Sequence, residues 1–235
     1  MAAAAGDTVE ETVRDEEGRV VQTSRKRGGV LDGETVVYAP DGTVRTRAEY
    51  LAGKLDGWVT TYGEEGEPIL RARYRAGERD GESTVYAAGR VQMVMAYRAG
   101  VLEGETVSHA PGGQVTARLR YRGGKLHGES EWFDPEGRPL RRSQYAADLL
   151  EGTVLEFFPS GKVRLRAAYR GGMQDGDTLV YDEEGRVRER RRFREGKPLG
   201  EAEKFDAKGK REKAKGARAR LARLAKALGT LGGGK

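Results

Sequence analysis

Between Val44 and Tyr50, between Val115 and Tyr121, and again between Val163 and Tyr169, small or apolar residues alternate with polar ones at period two. In VRTRAEY, Val44, Thr46, Ala48 and Tyr50 share one side, and Arg45, Arg47 and Glu49 share the other. Successive side chains of an extended chain point to opposite faces, so this alternation predicts half-buried antiparallel strands of about seven residues. Turn signals separate them. Glycines recur at Gly33, Gly57, Gly81, Gly104, Gly128, Gly152, Gly176 and Gly200, and a second series runs from Gly18 through Gly42, Gly66 and Gly89 to Gly209. Each series steps by 24 residues with a single step of 23, which places the shortening at Ala87, Ala88 and Gly89.

A fixed period over most of the chain predicts a stacked array, in which length measures the number of units. Each unit carries two turns, one of the kind LAGKLDG or RGGMQDG after a tyrosine, the other of the kind APDGTV or DPEGRP after the next aromatic. Glycine at the third loop position suggests a type I turn followed by a left-handed residue. Asp148, which replaces that glycine once, is one of the few side chains that tolerate positive φ. The predicted fold is all-β: an elongated single-layer antiparallel β-meander of about nine hairpin repeats and roughly 18 strands, about 85 Å long.

The rings fall into two ladders. One holds Tyr50, Tyr74, Tyr97, Tyr121, Tyr145, Tyr169 and Phe193; the other holds Tyr38, Tyr62, Tyr86, His109, Phe133, Phe157, Tyr181 and Phe205. A tight hairpin predicts Tyr50 opposite Gly57, the ring covering bare backbone. The second ladder is expected to form an apolar seam with Val36, Met93, Met95, Leu119, Leu155, Leu165 and Leu179. Arginine rows, among them Arg47, Arg71, Arg73, Arg142 and Arg190, are expected mostly on the face opposite the aromatics.

The unit Y-x-x-G-x-x-x-G-E, followed by an aromatic and D/P-x-x-G-K/R-V, recurs over about Gly18 to Gly209. It resembles the MORN repeat (membrane occupation and recognition nexus), in the bacterial variant of YwqK-type antitoxin proteins. The resemblance implies a twisted antiparallel sheet and roles in protein binding, scaffolding, antitoxin activity or membrane contact. Lys26, Asp148 and His109 depart from the pattern.

Composition narrows the chemistry. The chain is 37% hydrophobic and 34% charged with 35 glycines, which suits thin strands and many turns. It has no cysteine, so thiol catalysis, disulfides and zinc–thiolate sites are excluded. The net charge of +6 belongs to the end of the chain: Asp206 to Lys235 carries 10 Lys and Arg against 2 acids, leaving 33 against 35 elsewhere. Residues 1–6 read as a disordered start, 7–209 as the repeat array, and 210–235 as a basic amphipathic helix with a flexible end. In that helix Leu221, Leu224 and Leu228 line one side. The start lacks a signal-like pattern and no apolar run of about 18 residues follows, so a cytoplasmic location is expected.

No residue stands in a one-off catalytic setting, and acids recur by period. The expectation is therefore a protein that is not an enzyme, with no catalytic, cofactor-binding or metal-binding residues. The partner is expected to be another protein, bound by the extended β-surface of a scaffold or a neutralising antitoxin-like binder. Candidate contacts are the bulky departures Trp58, Met93, Met95 and Trp132, with Arg118, Arg120, Arg164 and Arg166 from the arginine rows. The alternative is a membrane-associated organiser binding anionic lipid through Arg218, Arg220, Arg223 and Lys226 of the basic helix. Self-association through open sheet edges is a further expectation, and nucleic acid is not expected.

Overall fold

The computed structural model describes residues 7–212. They form one antiparallel sheet of 19 strands, beginning at Thr8–Arg14 and ending at Glu203–Lys204. Strands follow one another in space as they do in sequence, and every substantial contact joins neighbours. Two strands are interrupted: Lys125–Leu126 and Gly128–Phe133 share one partner, as do Lys197–Pro198 and Glu203–Lys204. No second layer and no helix occur among the described residues. The single-layer all-β meander expected from the period is found; the expected start at 1–6 and residues 213–235 of the expected basic segment fall outside the described residues, while Arg211 bridges to Phe205.

The two turns of a unit differ. Leu51 pairs with Lys54, which leaves Ala52 and Gly53 as a two-residue loop with φ of 48° and 79°. Two left-handed residues in succession make the mirror-image turn whose twist matches the strands it joins. The expected type I turn with a left-handed residue is thus corrected here and holds at the other turn. There Gly42, at φ 85°, donates to Ala39 O at 2.9 Å while Ala39 N–H donates to Thr43 O at 2.8 Å. In the shortened unit Ala87 pairs with Arg90, and the two-residue loop Ala88-Gly89 replaces the longer one. Asp148 sits at φ 73°, where a glycine stands in other units.

Register overturns the expected Tyr50–Gly57 pair. Ala48 pairs with Val59 and Tyr50 with Leu55, so Asp56, Gly57 and Trp58 bulge opposite Glu49. The two-residue loop already sets Tyr50 opposite Leu55, two residues short of Gly57, and its opposite glycine is Gly33, on the preceding strand. A Cβ on Gly57 would come within 2.6 Å of the Glu49 Cβ, and one on Gly81 within 3.1 Å of the Arg73 Cβ. The glycine therefore makes room for the residue before the tyrosine, not for the ring.

Side-chain alternation then sorts the two faces. Tyr50, Ala48 and Thr46 share one with Met93, Met95 and Tyr97, here called the tyrosine face. Across its middle runs a line of mostly small residues, of which Ser24, Ala72, Ser83, Ser130, Ser143 and Ala167 are almost wholly buried. A single layer covers only what its own neighbouring rows can shield, and small side chains fill that narrow space. The other face carries Arg47, Arg71, Arg73, Trp58 and the second ring ladder: Tyr62 and Tyr86 line one cleft with Arg47, Arg71 and Trp58, and Tyr38 Oη lies 3.4 Å from Thr23 Oγ1. The expected common seam is accordingly split. Leu119 and Leu165 lie with the tyrosines, whereas Val36, Leu155 and Leu179 pair with arginines on the opposite face. Arginines stand opposite the first ring ladder and beside the second.

Successive units are locked at their tight turns. Gly53, Gly77 and Gly124 N–H groups donate to the carbonyls of Leu31, Leu55 and Leu102, at 2.8, 2.8 and 2.9 Å. Beside them, Asp56, Glu103 and Glu151 carboxylates accept from Ala76, Gly123 and Gly171 N–H. His127 interrupts that acid series, and in the same pair of units Asp148 accepts from Leu126 N–H at 2.8 Å. The carboxylate has moved to the other strand of the same junction. Burial, and after it the charge of Asp148, pushes the Tyr121 hydroxyl's pKa up.

The longer turns carry their own brace in the sequence D-x-E-G-R. Asp134 Oδ1 accepts from Glu136 and Arg138 N–H at 3.0 and 2.8 Å, and its Oδ2 accepts from Arg138 Nε at 2.7 Å. Asp15 with Arg19 and Asp182 with Arg186 repeat the arrangement. Burial pushes the Asp134 and Asp182 carboxyls up, but the hydrogen bonds from Arg138 and Arg186 outweigh it and both stay below the ordinary carboxylate range.

Candidate functional site

On the arginine face, the residue after four of the bulge glycines meets an arginine on the following strand. Glu34 and Arg47 lie 3.2 Å apart, Glu105 and Arg118 3.5 Å, Glu129 and Arg142 3.7 Å, and Asp177 and Arg190 2.7 Å. Each pair is separated by 13 positions, as the antiparallel register and the bulge require. Diagonal neighbours on adjacent strands are within reach of long side chains, so the repeat generates a row of exposed ion pairs. Asp177 also accepts from Arg192 at 3.1 Å; the Arg190 hydrogen bond, against burial and with Arg192, holds its carboxyl below the usual range.

The row is broken by Glu82, which faces no arginine, by Thr153, and by an aromatic at Gly57. The next residue is Trp58, and the arginine 13 positions on, Arg71, lies with its Cζ 4.0 Å from the indole centroid. Arg73 approaches the same ring at 5.5 Å. Glu49, whose side chain occupies the space above Gly57, accepts a hydrogen bond from Trp58 N–H at 3.0 Å. Tyr62, Pro68 and Tyr86 complete an open cleft of about 420 Å³ around this group. Neither Arg71 nor Arg73 makes an ion pair among the described residues.

The other expected contacts are dispersed. Trp132 is on the tyrosine face, four residues after Gly128, with its ring edge-on to Tyr145 at 6.4 Å and Arg141 5.5 Å above it. Met93 and Met95 share that face, and Tyr97 Oη donates to Met95 Sδ at 3.7 Å. Arg118 is occupied by Glu105, and Arg164 by Glu156 at 2.6 Å. Arg120 packs over Gly128, while Arg166 follows the slot in which Thr153 replaces the carboxylate. Arg218, Arg220, Arg223 and Lys226 lie outside the described residues. The structure thus separates the two tryptophans and gathers Trp58 with two arginines of the row.

Two features were not singled out from the sequence. Glu49 anchors the Trp58 backbone, and Arg79 bridges Tyr74 and Tyr97 hydroxyls at 3.4 and 3.3 Å. The exchange of carboxylate for indole after Gly57 is the signal that points to the first, since every ion pair in the row keeps the same spacing. Among the described residues no group of three His, Cys, Asp or Glu is placed to hold a metal ion, and no helix is long and apolar enough to cross a membrane.

The hairpin Leu150 to Arg170 holds the ring, the bulge glycine and the turn of one complete unit. Residues 150–170 match the family model described as MORN repeat variant. That match, with the 19-stranded open sheet, supports a MORN repeat protein. No curated protein matches the chain. Among solved structures, a chain in "Crystal Structure of TcdB2-TccC3-Cdc42" is similar at 14% identity with a TM-score of 0.21; the alignment covers 87% of this chain and 13% of that one.

Proposed function

We propose that this MORN repeat chain is a non-catalytic scaffold whose extended sheet binds another protein, either to organise it or to neutralise it as an antitoxin does. The reading rests on one observation: both faces of the sheet are open among the described residues, and neither carries a second layer. Large apolar side chains remain exposed along the tight-turn margin at Val30, Leu51, Val101, Leu149 and Met173. A single-layer sheet with a narrow line of buried residues has surface out of proportion to its core, which suits recognition spread over several units. Several of the repeating acids and arginines are taken up by turn braces and ion pairs, which gives those structural work.

The test is crosslinking during affinity purification of the full chain from its native cells. Crosslinks from residues on either sheet face to one partner protein are the expected result. Recovery of no partner protein, or crosslinks confined to residues beyond 212, overturns the reading.

A further inference from the structure

We propose that Trp58, Arg71 and Arg73 form the docking point for an acidic segment of a partner protein, with Arg71 as the group that takes the carboxylate. The proposal rests on the scaffold reading and names the place and the chemistry of contact. It begins from the exchange in the row of ion pairs. Where Glu34, Glu105 or Asp177 follows the bulge glycine, it pairs with the arginine 13 positions later, and where Glu129 does, it lies 3.7 Å from Arg142, which Glu131 holds at 2.8 Å. At Gly57 an indole stands there instead, and the arginine is left without a carboxylate from its own chain among the described residues.

Stacking does not use up the guanidinium. A guanidinium held over a ring by its face keeps its N–H donors at the edge of its own plane, where they can meet a carboxylate in two parallel hydrogen bonds. Arg71 and Arg73 are exposed, and holding them against one half-buried ring fixes side chains that would otherwise lose much freedom on binding. Trp58 is itself pinned by Glu49 through its backbone N–H at 3.0 Å. Tyr62, Pro68 and Tyr86 line the same cleft and offer apolar contact for side chains flanking an incoming acid.

The surroundings select the kind of anion. Glu34 is paired with Arg47 at the cleft, and Glu49 lies over Gly57, holding the Trp58 backbone. A continuous phosphate backbone would run into these carboxylates, whereas a peptide with one or two spaced acids fits between them. Complementarity therefore favours an acidic protein segment over a nucleic acid.

The experiment uses the full chain with Trp132→Phe, so that indole fluorescence reports Trp58 alone. The probe is a short synthetic peptide alternating serine and glutamate, compared with its serine–glutamine counterpart and with duplex DNA. The expected result is quenching of Trp58 by the glutamate peptide only. Arg71→Gln should weaken that binding about ten- to hundredfold, the range for losing hydrogen bonds to a charged group. Trp58→Glu, read with a fluorescein-labelled peptide, should do the same while keeping the melting temperature, because it restores the pattern of the sister units and lets Arg71 pair internally. Arg142→Gln, which disturbs a pair elsewhere in the row, should leave binding unchanged. Equal binding of the glutamine peptide, equal or tighter binding of DNA, or undiminished binding after Trp58→Glu would overturn the proposal. Crosslinks from a native partner to units away from Trp58 would discard this site and keep the scaffold, whereas recovery of no partner would discard both.

Discussion

At Gly176 the following residue is Asp177, and its carboxylate takes hydrogen bonds from Arg190 and Arg192; at Gly57 the following residue is Trp58, and Arg71 and Arg73, in the corresponding places, stand over its ring. The backbone is the same in both: the glycine lies at φ 115° or 133°, the ring residue opposite it is Phe193 or Tyr74, and the same bulge follows the tight turn. The difference is confined to side chains on one face. It teaches that the unit's geometry is set by glycines, turns and the buried line, while the slot after the glycine is free to be spent on an internal ion pair or on something else.

The sharpest way to break the likeness is at the glycines themselves. Both Gly57→Ala and Gly176→Ala put a Cβ where φ is positive, which costs about 1–3 kcal/mol in strain. At Gly176 the new methyl meets only the Ala168 Cβ at 3.0 Å, but at Gly57 it meets Glu49, whose carboxylate also holds Trp58. Gly57→Ala should therefore be the more damaging, by about 3 kcal/mol against about 2 for Gly176→Ala, read by denaturant melts. Equal losses would mean that Glu49 yields freely and that its bond to Trp58 is incidental.

The buried line gives the next largest contrast. Ala72, beside the Trp58 unit, is fully buried, whereas Arg191, its counterpart beside the Asp177 unit, is exposed. Ala72→Leu should cost about 2 kcal/mol by overpacking, and Arg191→Leu should be close to neutral. A similar cost at both positions would show that the line stays closed to the end of the array.

How much of this was legible beforehand depends on what parity can survive. The period gave the strand order, and the shortened step at Ala87 to Gly89 marked the altered turn, because glycine spacing records the number of residues between turns. The partner of each ring was not legible. The tight turn holds only Ala52 and Gly53, so Tyr50 falls opposite Leu55, and centring the hairpin on Gly53 carries it too far, to Gly57. The two tryptophans were grouped as bulky departures, yet Trp58 is one residue past its glycine and Trp132 four past, which is enough to put them on opposite faces. Counting from the glycine, inside the bulged strand, would have separated them. The Asp148 and His127 exchange was visible as two oddities; that they are one carboxylate moved across a junction required the register.

Acidity distinguishes the two regions more gently. The Asp177 carboxyl is held below its ordinary pKa first by the Arg190 hydrogen bond, against burial and with help from Arg192. A lowered folded pKa gives stability that is complete above the unfolded value, about 4, and is lost as pH falls through the folded one. Asp177→Asn should thus lower the melting temperature at neutral pH and bring it level with the parent in acid. Arg71→Gln, whose partner is an indole, should shift melting by the same amount at either pH. A pH-dependent gap for Arg71→Gln would mean that a carboxylate shares its guanidinium after all.

The smallest effect lies in the couplings. Double-mutant cycles on Asp177 with Arg190 and on Trp58 with Arg71 compare the two occupants of one slot directly. Both pairs are exposed enough for solvent to screen charge, so the ion pair should couple by about 0.2–1 kcal/mol, and the arginine–indole stack by about 0.5–1 kcal/mol. Salt separates them. Raising ionic strength to about 1 M shortens the screening length to about 3 Å and should erase much of the first coupling. The second draws on the ring's face and on dispersion at 4.0 Å as well as on charge, so it should persist. If both couplings fall together with salt, the stack is a charge effect from nearby acids, and Trp58 holds Arg71 no more firmly than Asp177 holds Arg190.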